Sequence, residues 1–328
     1  MKSRERVLCA LAGGQPDRVP FIEATVAPSI GRALAHSDRD LIERELSELL
    51  GLDAVVARLL PPYFADQQAG SDGLPYVTTG WIKSRADLDK MVFPDPRDPA
   101  LYENAQRVLG NKGDYASGVR IKLGVAPMLM SMGLDGFAYA SKDDPGLVTE
   151  VLDRYVDWQL VVTEQLVSMG FDFVWSADDV AYKSGPFCSP GMFRELIMPA
   201  FRRSVEAITI PWIFHSDGNL MPVLEDLTTL GMNGLHPIEP GPMDLVEVKR
   251  KYGHRLCLVG NVSVDLLCSG TADQVRNEVR ACLATGGPGG GYMISSSNSI
   301  PCYADPENVR EMAEAIREHG AYPLVWSG

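Results

Sequence analysis

Short apolar runs alternate with amphipathic stretches along the whole chain. That alternation limits the fold more than any other feature. The runs are VPFIEAT from Val19, DAVVARLL from Asp53, IKLGVAP from Ile121 and DFVWSADDVA from Asp172. They continue with IPWIFHSD from Ile210, NGLHPIEP from Asn233, RLCLVGNVSV from Arg255 and GYMISSSNSI from Gly291. Segments of this length, rich in Val, Ile and Phe, read as buried strands. Helical patterns such as DRDLIERELSELLG, DPGLVTEVLDRYVDWQLVVTEQLVSMG and DPENVREMAEAIREHG separate them. Several open on an Asp-Pro, Ser-Pro or Thr cap and close at glycine. Eight strand–helix repeats predict an α/β fold of the (β/α)8 TIM-barrel type rather than a doubly wound sheet.

A chain of 328 residues suits one such domain, so residues 1–328 are expected to form a single barrel. Residues 61–120 are too long for a plain βα connection. They contain a hairpin pattern, LPYVTTGWIKS, and a Pro/Asp-rich turn, FPDPRDP. We expect an inserted, lid-like excursion after the second strand, over the barrel mouth.

Net charge and cysteine usage narrow the function classes. A formal charge of -13 disfavours nucleic acid and anionic membranes, which would repel the chain. The longest apolar stretches are too short to span a bilayer. The 6 cysteines are dispersed without a CxxC pair, which fits reduced thiols in a cytoplasmic protein. GGPGGGY from Gly286 precedes a strand instead of joining a strand to a helix, so it lacks the context of a phosphate cradle.

In a barrel, chemistry sits at the carboxyl ends of the strands. Those ends are unusually polar here. Glu23 lies on the first, Asp178 and Asp179 on the fourth, His215 and Asp217 on the fifth, and His236 and Glu239 on the sixth. Asn261 ends the seventh, and Asn298 and Cys302 follow the eighth. His215 and Asp217 are two apart on a strand, so both point the same way. They form either half of a metal site or a hydrogen-bonded pair at a strand end. Consecutive Asp178 and Asp179 point to opposite faces, so one faces the pocket as an acid/base or ligand while the other caps or pairs. Met128, Met130 and Met132 alternate in APMLMSMG, either as an adaptable apolar wall or as core.

The segments RERVLCALAGGQPDRVPF, GLDGFAYASKDDPGLV, SPGMFRELIMPAFRRSV, HSDGN, GLHPIEP and GNVSVDLLCSGTADQV span nearly the whole chain. Together they resemble the uroporphyrinogen decarboxylase superfamily. The resemblance implies a (β/α)8 barrel. The tetrapyrrole decarboxylases of that superfamily carry an arginine-rich segment after the first strand. Here that place reads EATVAPSIGRALA, with Arg32 alone, so a polycarboxylate substrate is not expected. The other branch is similar to zinc-dependent methyltransferases, which move methyl groups between methylated substrates, corrinoid (cobalamin) proteins and thiols such as coenzyme M. By that resemblance His215, Asp217, Glu239 and Cys302 take the metal-ligand places. Asp217 stands where thiol-activating members have Cys.

A ligand set poorer in thiolate is a harder Lewis acid, suited to an oxygen leaving group. The resemblance therefore implies a zinc-dependent O-demethylase passing a methyl group from a small methylated compound to a corrinoid protein. Asp178, Asp179 and Glu23 are the expected catalytic groups, with a carboxylic acid protonating the leaving oxygen. Met128, Phe137, Tyr139, Trp175, Tyr182, His236 and Asn298 are the expected substrate-binding residues, the aromatic ones as a wall for an aryl group. Members occur as monomers and as dimers, so a homodimer is compatible. The alternatives are a metal-free decarboxylase of a smaller or porphyrin-like acid, using Arg58, Lys122 and Lys183, methyl transfer from a methylcorrinoid to a thiol, and a non-catalytic binding module.

Overall fold

The computed structural model describes residues 1–70 and 75–324. Leu74, which opens the expected LPYVTTGWIKS hairpin, and the last residues of the expected domain, 325–328, lie outside the described residues. The strands are β1 (Ala54–Arg58), β2 (Ala65–Ala69), β3 (Pro75–Gly80), β4 (Ala116–Ile121), β5 (Phe173–Ala177) and β6 (Ala181–Tyr182). They continue with β7 (Gly185–Pro186), β8 (Trp212–His215), β9 (Gly234–His236), β10 (Cys257–Val259) and β11 (Tyr292–Met293). Seven of these form one curled parallel sheet in the order β1-β4-β5-β8-β9-β10-β11. Helices cross between successive strands of this sheet, as parallel pairing requires.

The first predicted strand is not a regular strand. Its backbone still reaches both ends of the sheet. Phe21 bridges Ile294 in parallel, and Phe21 O accepts from Asp53 N at 2.6 Å, beside β1. The third prediction is misplaced: the strand is Ala116–Ile121, while Val125–Met132 is a helix. The run IKLGVAPMLM, apolar but for Lys122, cannot distinguish the two by composition, and Gly124, with φ +119, makes the turn between them. The insert therefore ends before Ala116. It holds an antiparallel β2–β3 hairpin in which ADQQA supplies the partner strand that the sequence reading placed inside LPYVTTGWIKS. Part of this insert packs on the helix Pro145–Ser168. Phe93 packs on Phe64, Tyr155 and Trp158, and Trp158 Nε1 donates to Pro94 O at 2.8 Å.

Side chains alternate across each strand, and the two faces bury different cores. Inside the curl, Ala54, Phe173, Trp175, Ile213, Cys257, Val259 and Met293 meet Val7 and Leu11 of the helix Ser3–Leu11, which plugs the amino end of the sheet. Burial of Phe173 or Ile213 stabilises by about 1.5–3 kcal/mol each. Gly118 has no side chain for a local reason: a Cβ there would overlap the Phe173 ring. Outside, Trp212 and Phe214 pack against the helices. The expected caps are present, with Asp144, Ser189, Thr271 and Asp305 each accepting from a first-turn amide. Among the described residues no helix is long and apolar enough to cross a membrane.

Candidate functional site

Strand parity builds the site. Ile213 points inward, so His215 does too. Trp175 points inward, so Asp179, past the end of β5, follows, and Asp178 points out. In register, Ala177 pairs with His215 and His215 with His236. Neighbouring strands lie about 4.8 Å apart, and the two imidazoles stack with centroids 4.9 Å apart at 26°.

His215 Nε2 lies 3.5 Å from Asp179 Oδ1 and 3.8 Å from Asp217 Oδ1. One ligand atom from each of Asp179, His215 and Asp217 falls within 4.8 Å of the others. Asp217 Oδ2 accepts from Asn298 Nδ2 at 2.6 Å, while its Oδ1 is buried with no hydrogen-bond partner among the described residues. Glu239 Oε2 accepts from Gly218 N at 2.6 Å and faces the same pocket. Gly218 is required there: its φ is +88, and a Cβ would meet Tyr182 O at 2.6 Å.

Burial pushes the Asp217 carboxyl up to about 6, with Asp179 and Glu239 adding to the rise against His215 and Arg120. Burial pushes Asp179 up as well, but the His215 ring, Lys122 and the Asp217 amide outweigh it and hold the carboxyl below the ordinary range. His236 is fully buried, and that burial drives its imidazole well below the usual value of 6.5.

Other expected residues lie elsewhere. Asp178 is fully buried and accepts from the backbone amides of Leu123 and Ala126, so it anchors the start of the helix Val125–Met132. Burial raises its carboxyl. Glu23 is 4% exposed and accepts from Ser296 N at 2.6 Å and Ser296 Oγ at 2.8 Å. Burial pushes it up to about 8. Cys302 is outside the His–Asp cluster, in the turn after the last strand.

The aryl wall does not assemble. Met128 and Phe137 are core residues, Trp175 lies inside the curl with its ring edge against His236, and Tyr139 is 74% exposed on a helix. Tyr182 packs on Phe187. The pocket beside the cluster, about 330 Å³, has a mixed lining that is mostly polar, with Lys183, Glu239, Ser263 and Asp265 beside Val264 and Tyr303. The sequence reading also missed Arg120. This half-buried residue of β4 donates to Thr25 Oγ1 at 3.0 Å, feels Asp179 and Asp217, and is held below its ordinary value mainly by burial. Correct placement of β4 would have found it, since Arg120 shares the inward parity of Gly118.

The fold and cluster together define an α/β protein with its polar chemistry at the carboxyl ends of a parallel sheet. A model of the family described as Uroporphyrinogen decarboxylase (URO-D) matches residues 68–319, and the chain belongs to that family. It is 27% identical over 190 residues to a methylated-thiol–coenzyme M methyltransferase of Methanosarcina mazei, covering 57% of this chain and 48% of that protein. It is 24% identical over 258 residues to a uroporphyrinogen decarboxylase of Pelodictyon phaeoclathratiforme, covering 73% and 71%. The match thus spans about half the length of the first of these relatives. In structure the chain is similar to a methyltransferase from Methanosarcina mazei, with a TM-score of 0.78 at 23% identity, over 97% of this chain and 99% of that one. At that identity the likeness shows the fold.

Proposed function

We propose that the chain is a zinc-dependent methyltransferase that takes the methyl group of a small polar O-methyl compound and delivers it to a corrinoid protein. The observation that carries this reading is the cluster of Asp179, His215 and Asp217, with the buried Asp217 Oδ1 left without a partner. An imidazole nitrogen and carboxylate oxygens are ligands that zinc accepts, and an orphaned buried carboxylate oxygen costs free energy unless a cation meets it. Glu239 stands at the pocket side of the same cluster as a fourth ligand or a substrate contact. Asp179, His215 and Asp217 would hold the zinc, which when bound would supply Lewis-acid chemistry at the leaving oxygen.

The remaining roles belong to the chain. Asp178 is committed to two backbone amides and Asp179 is held ionised, so neither is poised to donate a proton. Asn298 orients Asp217, and the Gly218 amide orients Glu239. Hydroxyl, amide and charged groups make up most of the pocket lining, with Val264, Pro301 and Tyr303 as its apolar part, which favours a small polar donor. The segment around Phe21, bonded to both sheet ends, is read as the eighth stave that closes the barrel.

Thiol methylation fits less well, because carboxylates occupy the cluster where a thiolate-rich set would be needed. For the carboxylate-binding alternative, Lys122 lies beside Asp178 and Asp179, while Lys183 lines the pocket.

Metal content tests the reading. Natively purified protein is expected to hold about one equivalent of zinc, and His215→Ala and Asp217→Ala almost none. Less than about a tenth of an equivalent in the wild type sinks the metal. Incubation with reduced corrinoid protein should then yield methylcorrinoid from polar methyl ethers, and silence across such a panel removes the activity.

A further inference from the structure

His215 Nδ1 and His236 Nδ1 lie 2.7 Å apart, so one hydrogen sits between them. Which ring supplies it is decided on the far side of His236. There Nε2 faces the backbone carbonyl oxygen of Ser296 at 3.3 Å. A carbonyl only accepts, so Nε2 carries a hydrogen. The His236 ring is fully buried, with Trp175 at its face or edge and its hydrogen bonds going to His215 and Ser296. A buried ring with no carboxylate in hydrogen-bond contact stays neutral, which leaves Nδ1 as an acceptor. His215 Nδ1 must then donate.

The far nitrogen of His215 follows. With Nδ1 turned to His236, Nε2 is the nitrogen that a metal ion would take. That atom faces Asp179 Oδ1 at 3.5 Å and Asp217 Oδ1 at 3.8 Å. With Nδ1 engaged by His236, Nε2 is the His215 atom left to meet a cation beside those two carboxylates. The carbonyl that sets this order is itself fixed, because Glu23 accepts from both Ser296 N and Ser296 Oγ.

We propose that Glu23, Ser296 and His236 form a buried positioning chain that holds His215 with its hydrogen on Nδ1 and presents its Nε2, beside Asp179 and Asp217, as the ligating atom. This rests on the reading of His215 as a metal ligand. His236 is thereby a positioning residue, not a substrate contact. Partners of this kind fix the tautomer and orientation of a ligating imidazole, and losing one weakens metal binding by about 10–100-fold.

Two measurements test it. The first is 15N NMR of histidine-labelled, metal-free protein. It should show His215 protonated at Nδ1 and His236 at Nε2, and the opposite tautomer at His215 overturns the proposal. The second is zinc competition against a chromophoric chelator. His236→Asn places an amide oxygen near the Nδ1 position and should hold affinity within about threefold, whereas His236→Leu should lose about 10–100-fold. Affinity unchanged in a folded His236→Leu protein, or lost equally in both variants, overturns the chain. A wild type that binds no zinc defeats the metal reading instead, and the nitrogen shifts still decide the tautomer.

Discussion

Each carboxylate of the mouth has its chemistry set by what it touches. Asp178 and Asp179 are neighbours in sequence, yet one binds two amides in a dry layer and the other faces His215. Glu23 offers the clearest pH prediction. Its pKa is raised from 4.5 to about 8, so the folded chain keeps a proton there that the unfolded chain has released. The unfolded state binds fewer protons across that window, so this group makes stability fall as pH rises through it. Glu23→Gln keeps both Ser296 hydrogen bonds in the manner of the neutral acid. Its melting temperature should therefore drop less than that of the wild type between about pH 5 and about pH 8.5. Parallel melting curves for the two proteins would refute this burial-driven shift. The sequence showed that carboxylates gather at strand ends. It did not show which were dry, because burial comes from residues distant in the chain.

At the scale of elements, the connection after β4 depends on one side chain from the next strand. The helix Val125–Met132 begins at Gly124 without a side-chain cap of its own, and Asp178 supplies the acceptor from outside. Asp178→Ala strands two buried amides and should lower unfolding free energy by about 1–3 kcal/mol in urea, leaving zinc content unchanged. Zinc loss in a folded Asp178→Ala protein would place that residue in the site after all. This external cap also explains why the helix was unreadable locally: its start carries no Ser, Thr or Asp, and its apolar run has no strong period. The capped helices opening at Pro145, Ala272 and Pro306 were legible because their signals lie within a few residues. The HSDGN turn was legible for the same reason, through Gly218.

Across the whole molecule, the two ends of the sheet divide the labour. The mouth gathers Asp179, Asp217 and Glu239 around His215, whereas the amino end is closed by an ion-paired network. Buried Asp53 accepts from Arg6 Nη1 at 2.6 Å, Arg18 Nη2 at 3.0 Å and Phe21 N at 3.0 Å, and so ties the first segment to β1. Asp53→Ala leaves buried Arg6 without that partner and should destabilise the fold by about 3–5 kcal/mol, read by chemical denaturation. A loss below about 1 kcal/mol would mean that this network does not hold the first segment in place.

By itself the sequence determined the alternation of strand and helix, most caps, and the placement of His215, Asp217, His236 and Glu239 after apolar runs. These follow from short-range rules: side-chain period, capping chemistry and the backbone freedom of glycine. Tertiary structure decided which of those groups meet. A strand displaced by one residue turns every side chain to the other face, so the pocket position of Asp179, the core position of Trp175 and the hidden Arg120 depend on register between strands far apart in the chain. The contact between the two histidines rests on the same register, His215 against His236, which no local signal in either segment records.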